Sequence, residues 1–464
     1  MIRHAKDTLL YFVGIGGIGM SGIAEVFLNQ GYPVSGSDLS ESDITRRLSS
    51  LGAKIYLGHR AENINGARVV VISSAVKATN PEVVEARRLQ IPVIPRAEML
   101  GELMRGKIGL AIAGSHGKTT TTSLLATILT EAGLDPTLVI GGKVDSLGGN
   151  ARLGQGRFLV AEADESDGSF LHLPTTFAAI TNIDNDHLDF FGSLENIENA
   201  FIDFVGKTPF YGLTAVCGED PGIQRCLPRF TKPIKTYGFS DRFDVYADQI
   251  NTSSRGSSFQ VYGRKSVLEK HDLWGQIDLK SPGRHNVLNS LAAILLAHQL
   301  DIPFGRIALG IEHFQGVRRR FEIRWQDQAS KRAIVDDYAH HPTEVIATLK
   351  AAREFWPGRI ITVFQPHRYS RTLHCFDEFK CAFSGTDVLF LTDIYAAGEA
   401  PIKNVSIEAL TLAIAQERGA LETAYSGSLA DTLLTLKINF KSGDLILCMG
   451  AGSITQLAGQ ISSA

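Results

Sequence analysis

The chain lacks most of the features that mark a specialised protein class. Its 464 residues hold five cysteines, Cys217, Cys226, Cys375, Cys381 and Cys448, with no C-x-x-C pair among them. An odd number scattered along a long chain argues against a disulfide scaffold and for reduced thiols. No apolar run reaches the roughly 18 residues of a membrane span. The start, MIRHAKDTLLYFVGIGG, has too short an apolar core for a signal peptide and passes straight into glycines. A cytoplasmic protein without membrane insertion is expected. A formal net charge of −3 gives no global pull toward nucleic acid, so any basic site must be local. Internal repeats and low-complexity tracts are missing too.

Against these absences stand 44% hydrophobic and 20% charged residues, enough for several ordinary cores. The length suggests about three domains at roughly 150 residues each. From Thr8 to Arg105 the runs LLYFVGI, YPVSGSD, AKIYLG, ARVVVISSA and IPVIPR alternate with helical stretches, the rhythm of a parallel sheet with helices on its faces. A second unit, residues 106–317, opens with the buried-strand run IGLAIAG. After Asp244 it carries polar–apolar alternation that reads as an antiparallel β insertion. A third, residues 318–464, alternates RAIVDDY, RIITVFQP, DVLFLTDI and GDLILCMG with helices. The expected architecture is three α/β domains with a β insertion in the middle one. The late glycines of MGAGS, Met449 to Ser453, read as a turn from strand to helix.

The first domain begins VGIGGIGMSGIAE, in which Gly14, Gly16 and Gly19 have the spacing G-x-G-x-x-G, with Gly17 between them. A strand precedes and a helix follows. Asp38, 38 − 14 = 24 positions after the first glycine, closes the next strand where a ribose-binding acid belongs in a Rossmann fingerprint. The physics demands only a ligand with phosphates: glycines let the backbone approach, and a helix N-terminus favours negative charge. An NAD(P)-dependent oxidoreductase is one reading.

A second loop, AGSHGKTTTTSLL, carries Gly114, Ser115, His116, Gly117, Lys118, Thr119 and Thr120. Lys118 and Thr119 have the identities of a P-loop ending, where lysine meets the β/γ-phosphates and the hydroxyl meets Mg2+. Ile112 stands five before Gly117, so the loop is shorter than the standard pattern. The run Thr119 to Thr122 is a poor helix start, and hydroxyls lining a phosphate–metal site would account for it. Downstream, AEADESD ends a strand with Glu162, Asp164, Glu165 and Asp167; TNIDNDHLD ends another with Asp184, Asp186, His187 and Asp189. Parallel strands deliver such residues to the edge that bears the phosphate loop, where oxygen ligands and an imidazole suit Mg2+ on ATP. Most of the seven acids are expected to be turns and caps, with one or two on metal. A non-catalytic nucleotide-binding regulator shares these features, minus turnover.

The third domain offers Arg318 to Arg320, the run DDYAHHPTE with Asp337, Tyr338, His340 and His341, and HRYSRT with Arg368 and Arg371. The adjacent histidines have no zinc spacing. Arg368 and Arg371, at i and i+3 after a strand, could share a face and clamp a carboxylate or phosphate, or simply be solvated.

These stretches in this order, with PGRHNVLNSLAA and RRFE, resemble the Mur ligase family, the ATP-dependent ligases of bacterial cell-wall precursor synthesis, over nearly the whole chain. The resemblance implies a Rossmann-like UDP-sugar domain, a P-loop ATPase-like central domain and a Rossmann-like C-terminal ligase domain. It implies ATP and Mg2+, and a γ-phosphoryl transfer to a lactyl carboxylate followed by attack of an amine on the acyl phosphate. In the family pattern Gly14, Gly16, Gly17 and Gly19 cradle the sugar diphosphate, with Ser37, Asp38 and His59 near the uridine. Gly114 to Thr120 hold ATP; Thr119 and Glu162 match one magnesium position and His187 another. Asn286 and Asn289 match the adenine region, and Arg320 and Asp337 the ATP contacts of the third domain. Tyr338, His340, Arg368 and Arg371 match the region of the amino acid and the muramyl carboxylate. Lys118, Glu162, His187, His340, Arg368 and Arg371 are the expected catalytic set. The first loop is similar to the branch that adds L-alanine to UDP-N-acetylmuramate, more than to the branch that recycles a tripeptide. Several relatives use a carbamylated lysine after the motif histidine, but Leu188 to Val205 contains no lysine and the modification is not expected. A monomer or homodimer is expected.

Overall fold

The computed structural model describes residues 7–144, 149–253, 256–264, 270–419 and 421–462. The first sheet contains β1 (Leu10–Val13), β2 (Val34–Asp38), β3 (Lys54–Leu57), β4 (Val69–Ile72) and β5 (Val93–Pro95), in the order β3-β2-β1-β4-β5. All neighbours are parallel. Strand β2 reads VSGSD, a weak strand by propensity. It is held because a Cβ on Gly36 would lie 2.4 Å from the Phe12 carbonyl oxygen, so glycine alone permits this approach. Helices α1 (Ile18–Asn29), α2 (Asp43–Ser50), α3 (Pro81–Arg88) and α4 (Arg96–Met104) connect and flank the strands.

The second sheet contains β6 (Ile108–Ala113), β7 (Thr137–Val144), β8 (Gly149–Arg152), β9 (Phe158–Glu162), β10 (Phe177–Ile180), β11 (Leu213–Cys217), β12 (Ile234–Gly238), β13 (Val245–Ser253), β14 (Gly256–Gly263) and β15 (Asp272–Leu279). Its order is β15-β14-β13-β12-β11-β10-β6-β9-β7-β8, parallel from β13 to β7 and antiparallel at β7–β8. Strand β6 has β10 on one side and β9 on the other. Its exit loop therefore stands at a point where the chain leaves in opposite directions, the usual place for a ligand in an open α/β sheet.

The third sheet has β16 (Glu322–Asp327), β17 (Arg332–Asp337), β18 (Ile360–Phe364), β19 (Val388–Leu391), β20 (Glu422–Tyr425) and β21 (Leu445–Met449), ordered β16-β17-β21-β18-β19-β20. Only β16 runs antiparallel to its neighbour. Alternation of side chains splits it between two cores: Val335, Ile360, Leu389 and Leu447 face one, Ile334, Ile361, Phe390 and Cys448 the other. Burial on both faces explains why these strands read as unbroken apolar runs.

By compactness the chain divides into one unit of residues 1–248, 260–277 and 288–315 and a second of residues 249–259, 278–287 and 316–464. The first unit joins the first sheet to most of the second. There the Asn150 amide donates to the Ile18 carbonyl (2.8 Å), and a Cβ on Gly22 would rest 3.3 Å from that of Ala151. No helix among the described residues is long and apolar enough to cross a membrane.

Helix α5 (Lys118–Glu131) is buried from Thr119 through Leu129. The Ser123, Thr127 and Thr130 hydroxyls donate to carbonyls four residues back, at 2.6–2.8 Å. Thr121 and Thr122 are fully buried, and their hydroxyls make no hydrogen bond among the described residues. These two behave as core residues packed by their methyls, which corrects the expectation that the whole threonine run lines a phosphate–metal site.

Packing of α5 against the helix Phe304–His313 is close: a Cβ on Gly310 would lie 2.7 Å from the Ile128 Cα. Gly310→Ala should therefore lower stability by about 1–3 kcal/mol through overpacking. Gly305→Ala, on the same helix with open space around it, should be neutral or slightly stabilising. Urea unfolding midpoints of the two variants check this.

Candidate active site

The first glycine loop is closed by β2. The Gly14 and Ile15 amides donate to the Ser37 carbonyl (2.8 and 2.9 Å), and the Gly16 amide donates to Asp38 Oδ2 (2.8 Å). A Cβ on Gly16 would meet that carboxylate at 2.8 Å, and one on Gly19 would meet Arg96 Nη1 at 2.6 Å. A side chain at either glycine would have to displace the end of Asp38 or of Arg96. Asp38 holds the loop itself, a structural task beside the nucleoside role expected for it. Helix α1 starts behind Gly17 with no side-chain cap and no acid in its first turn, which leaves its dipole favourable to an anion.

Next to this loop lies a buried polar cluster. Glu82, fully buried, accepts from the Tyr11 hydroxyl (2.7 Å), the Ser37 hydroxyl (2.7 Å) and the Asn63 amide (2.8 Å), and His59 Nδ1 lies 3.0 Å from it. Ser37 and His59 were expected at this place. Glu82 was not: in NPEVVEARR it reads as an ordinary first-turn acid after an Asn cap and a proline.

The second loop leaves β6 through Gly114 (φ +125°) and enters α5 behind Gly117 (φ +82°). Residues after β10 pin it. The Asn182 side chain accepts from the His116 amide (2.8 Å) and donates to the His116 carbonyl (3.0 Å), and His116 Nε2 is 2.8 Å from Asp184 Oδ2. Asn289 Oδ1 lies 2.5 Å from where a Gly117 Cβ would be. Lys118 curls over the loop, donating to the Gly114 and Ser115 carbonyls (2.7 and 3.2 Å) and to Glu165 (2.8 Å). Burial opposes its charge, but the pull of Glu165, Asp164 and Glu162 together outweighs that and raises its pKa.

Glu162, at the end of β9, accepts from the Thr119 hydroxyl (3.2 Å) and the Gly141 amide (2.7 Å). His187, in left-handed backbone at φ +57°, brings Nε2 to 3.9 Å from Glu165. The Lys118–Glu165 and Thr119–Glu162 pairs thus stand side by side at one sheet edge, with His187 at 3.9 Å from Glu165. The other acids behave largely as turns: Asp167 accepts from the Ser169 amide, Asp186 from the His187 amide and Asp184 from the Asn185 amide. Asp164 pairs with Arg96 at 2.8 Å. The side chain of Asp189 lies outside the described residues.

In the second unit, Asp337 accepts from the Phe321 and Ala339 amides (both 2.7 Å) and from the Thr348 hydroxyl (3.3 Å). Burial pushes its pKa up to about 6 despite the nearby Arg320. Arg320 pairs with Glu344 (3.4 Å) and, like Arg319, lies over the Tyr338 ring at about 5 Å. His341 caps the helix Pro342–Phe355, while His340 packs edge-on against Tyr338 and His367. Asn286 is buried and donates to the Pro282 carbonyl (2.8 Å). Arg368, at φ +73° before the helix Tyr369–His374, pairs with Glu399 (2.8 Å), whereas Arg371 Nη1 turns back to His367 (3.4 Å). The shared helical face expected from their spacing does not form, because Arg368 precedes the helix.

Three family models match successive parts of the chain. "Mur ligase family, catalytic domain" matches residues 9–108, "Mur ligase middle domain" 112–297 and "Mur ligase, glutamate ligase domain" 319–452. The chain is 52% identical over 460 residues to a UDP-N-acetylmuramate–L-alanine ligase of Geotalea daltonii, covering 99% of this chain and 98% of that one. To the protein so named from Geobacter sulfurreducens it is 53% identical over 457 residues, covering 98% and 96%. Among solved structures, the UDP-N-acetylmuramate-alanine ligase of Thermotoga maritima superposes with a TM-score of 0.81 at 29% identity, over 98% of both chains. A murein peptide ligase from Psychrobacter arcticus shares the fold, with a TM-score of 0.71 at 23% identity over 98% of both.

Burial, together with the charges of His340, Arg371 and Arg368, drives the His367 pKa down to about 3. The folded state therefore refuses a proton that the unfolded chain accepts near pH 6.5, and stability is lost as pH falls from there toward about 3. In His367→Gln the decline of stability between about pH 6.5 and 4.5 should be shallower by about one proton's slope. Chemical denaturation across that range measures it.

Proposed function

Because the chain belongs to the Mur ligase family, whose members form amide bonds at the expense of ATP, we propose that it joins L-alanine to the lactyl carboxylate of UDP-N-acetylmuramate, releasing ADP and phosphate. The carrying observation is the pairing, in one unit, of a closed glycine loop before α1 with a second loop whose Lys118 stands among Glu162, Glu165 and His187. A nicotinamide oxidoreductase would leave the second loop without a task. Near-complete coverage at about 52% identity by L-alanine ligases favours that amino acid over a tripeptide.

The residue roles follow from charge and reach. Gly14, Gly16, Gly17 and Gly19 offer bare backbone to the sugar diphosphate, with Ser37, Asp38 and His59 beside the nucleoside. Gly114 to Thr120 and Asn289 hold ATP, with Asn286 toward the adenine. A carboxylate is a poor electrophile, so the γ-phosphoryl group passes first to the lactyl carboxylate; the alanine amine then attacks, and phosphate leaves a tetrahedral intermediate. Lys118 neutralises charge that builds on the transferring group. To do so it exchanges Glu165 for phosphate. The Thr119 hydroxyl and Glu162 carboxylate are hard oxygen donors 3.2 Å apart, a set that fits Mg2+, with His187 at a second position. When bound, the ion supplies positive charge to the phosphates. From the C-terminal domain, Arg320 and Asp337 serve ATP, and His340, Arg368 and Arg371 orient the amino acid and the muramyl carboxylate. We set the domain limits at residues 1–105, 106–317 and 318–464 and assign the reaction to the cytoplasm.

Phosphate release with UDP-N-acetylmuramate, ATP and Mg2+ should require L-alanine. Turnover with the tripeptide in place of L-alanine, or none with either, would overturn the assignment. Lys118→Met should lower kcat by about a thousandfold or more, and the urea midpoint should fall as well, because buried Glu165 loses its counter-charge; kcat is compared without urea at a temperature where the variant is folded. Removal of Mg2+ by chelation should abolish phosphate release, and added Mg2+ should restore it.

A further inference from the structure

Glu82 is a carboxylate with no contact to solvent. Such burial is tolerated only when the charge is well solvated by the protein. Here the solvation is complete: Oε1 takes the Tyr11 hydroxyl and the Asn63 amide, and Oε2 takes the Ser37 hydroxyl and His59. Glu82 also stands in the first turn of α3, where the helix dipole favours an anion. These features make it an acceptor-only group.

The consequence falls on His59. Its Nδ1 lies 3.0 Å from Glu82 Oε2 and 3.0 Å from Ser37 Oγ. The Ser37 proton is committed to Glu82 at 2.7 Å. A bare Nδ1 would set its lone pair against the carboxylate, so Nδ1 carries the proton. In the neutral ring, Nε2 is then an acceptor on the opposite edge, and the His59 side chain is 21% exposed. His59 follows β3 directly, after Gly58, whose amide donates to the Asp38 carbonyl (2.8 Å). The imidazole and the first glycine loop therefore share the carboxyl end of the first sheet.

We infer that Glu82 is a positioning residue that locks His59 in its Nδ1–H form, so that Nε2 accepts a hydrogen bond from an N–H or O–H group of the bound nucleoside. This rests on the reading of the first loop as the sugar-nucleotide site. The lock selects for ligands that present a donor at that point, and an analogue that offers only an acceptor there loses the bond and meets a lone pair.

The experiment has a spectroscopic and a kinetic arm on the full chain. In 15N-histidine-labelled protein at about pH 8, above the ordinary histidine range, His59, assigned by loss of its signals in His59→Asn, should show a protonated Nδ1 and a bare Nε2. Glu82→Gln should shift it toward the Nε2–H form. In the kinetic arm, Glu82→Gln and His59→Asn should each raise KM for UDP-N-acetylmuramate by about tenfold, the worth of one lost hydrogen bond. The kcat and the KM for ATP should stay within about twofold, and the double variant should be no worse than His59→Asn alone. His59→Gln, whose amide oxygen reaches the Nε2 position, should recover most of the affinity. An Nε2–H tautomer in the parent, or effects that multiply in the double variant, would overturn the proposal. Should Glu82→Gln fail to fold, the parent tautomer and the comparison of His59→Gln with His59→Asn decide alone. The tautomer is read without turnover, so a protein inactive on the sugar nucleotide would count against the proposed substrate and not against the lock.

Discussion

The buried ion pair of Lys118 with Glu165 sets the terms on which the first unit meets a ligand. An ammonium taken from water needs compensation, and here two loop carbonyls and a carboxylate supply it. The same contacts draw the end of β9 onto the loop after β6, so β9 arrives with Glu162 beside Thr119. Glu165 balances the charge of the lysine at 2.8 Å. The pattern recurs wherever a cation is expected to meet an anionic ligand. Arg320 rests on Glu344, and Arg368 on Glu399. Each of these cations is paired with a carboxylate of its own unit.

The two glycine loops solve one geometric problem by different means. Both must expose backbone amides at a sheet edge and remain fixed. The first is fastened by an acid, Asp38, taking the Gly16 amide; the second by the Asn182 amide side chain on both sides of His116. The second loop is held by an acid as well, since Asp184 meets the His116 ring at 2.8 Å.

Much of this was legible in the sequence because it depends on local pattern. Strand runs, glycine spacing, and the acids that follow β9 and β10 have fixed offsets from their elements, and they predicted three α/β domains. The strands of the third sheet were legible as apolar runs, whereas the split of their side chains between two cores was not. What escaped depends on contacts far apart in the chain. Glu82 meets Tyr11 across 71 positions, and Arg96 meets Asp164 across 68; no periodicity links such residues. Thr121 and Thr122 misled because hydroxyls beside a lysine suggest a phosphate, whereas depth in the helix gives them an apolar task. Arg368 misled because a spacing of three implies a shared face only if both residues are helical.

Arg96 makes the two ends of the first unit inseparable in a way that concerns anyone recombining it. Its guanidinium occupies the space that a side chain at position 19 would need, while its other edge binds Asp164 in the acidic loop. A chimaera that took the first domain from one relative and the central domain from another would inherit half of this arrangement unless both parents carried it. An unmatched Arg96 would lose its counter-charge, and an unmatched Asp164 would add repulsion beside Glu165. The natural point of exchange thus lies outside the segment from Gly19 to Asp164, even though the proposed domain limit at residue 105 falls inside it.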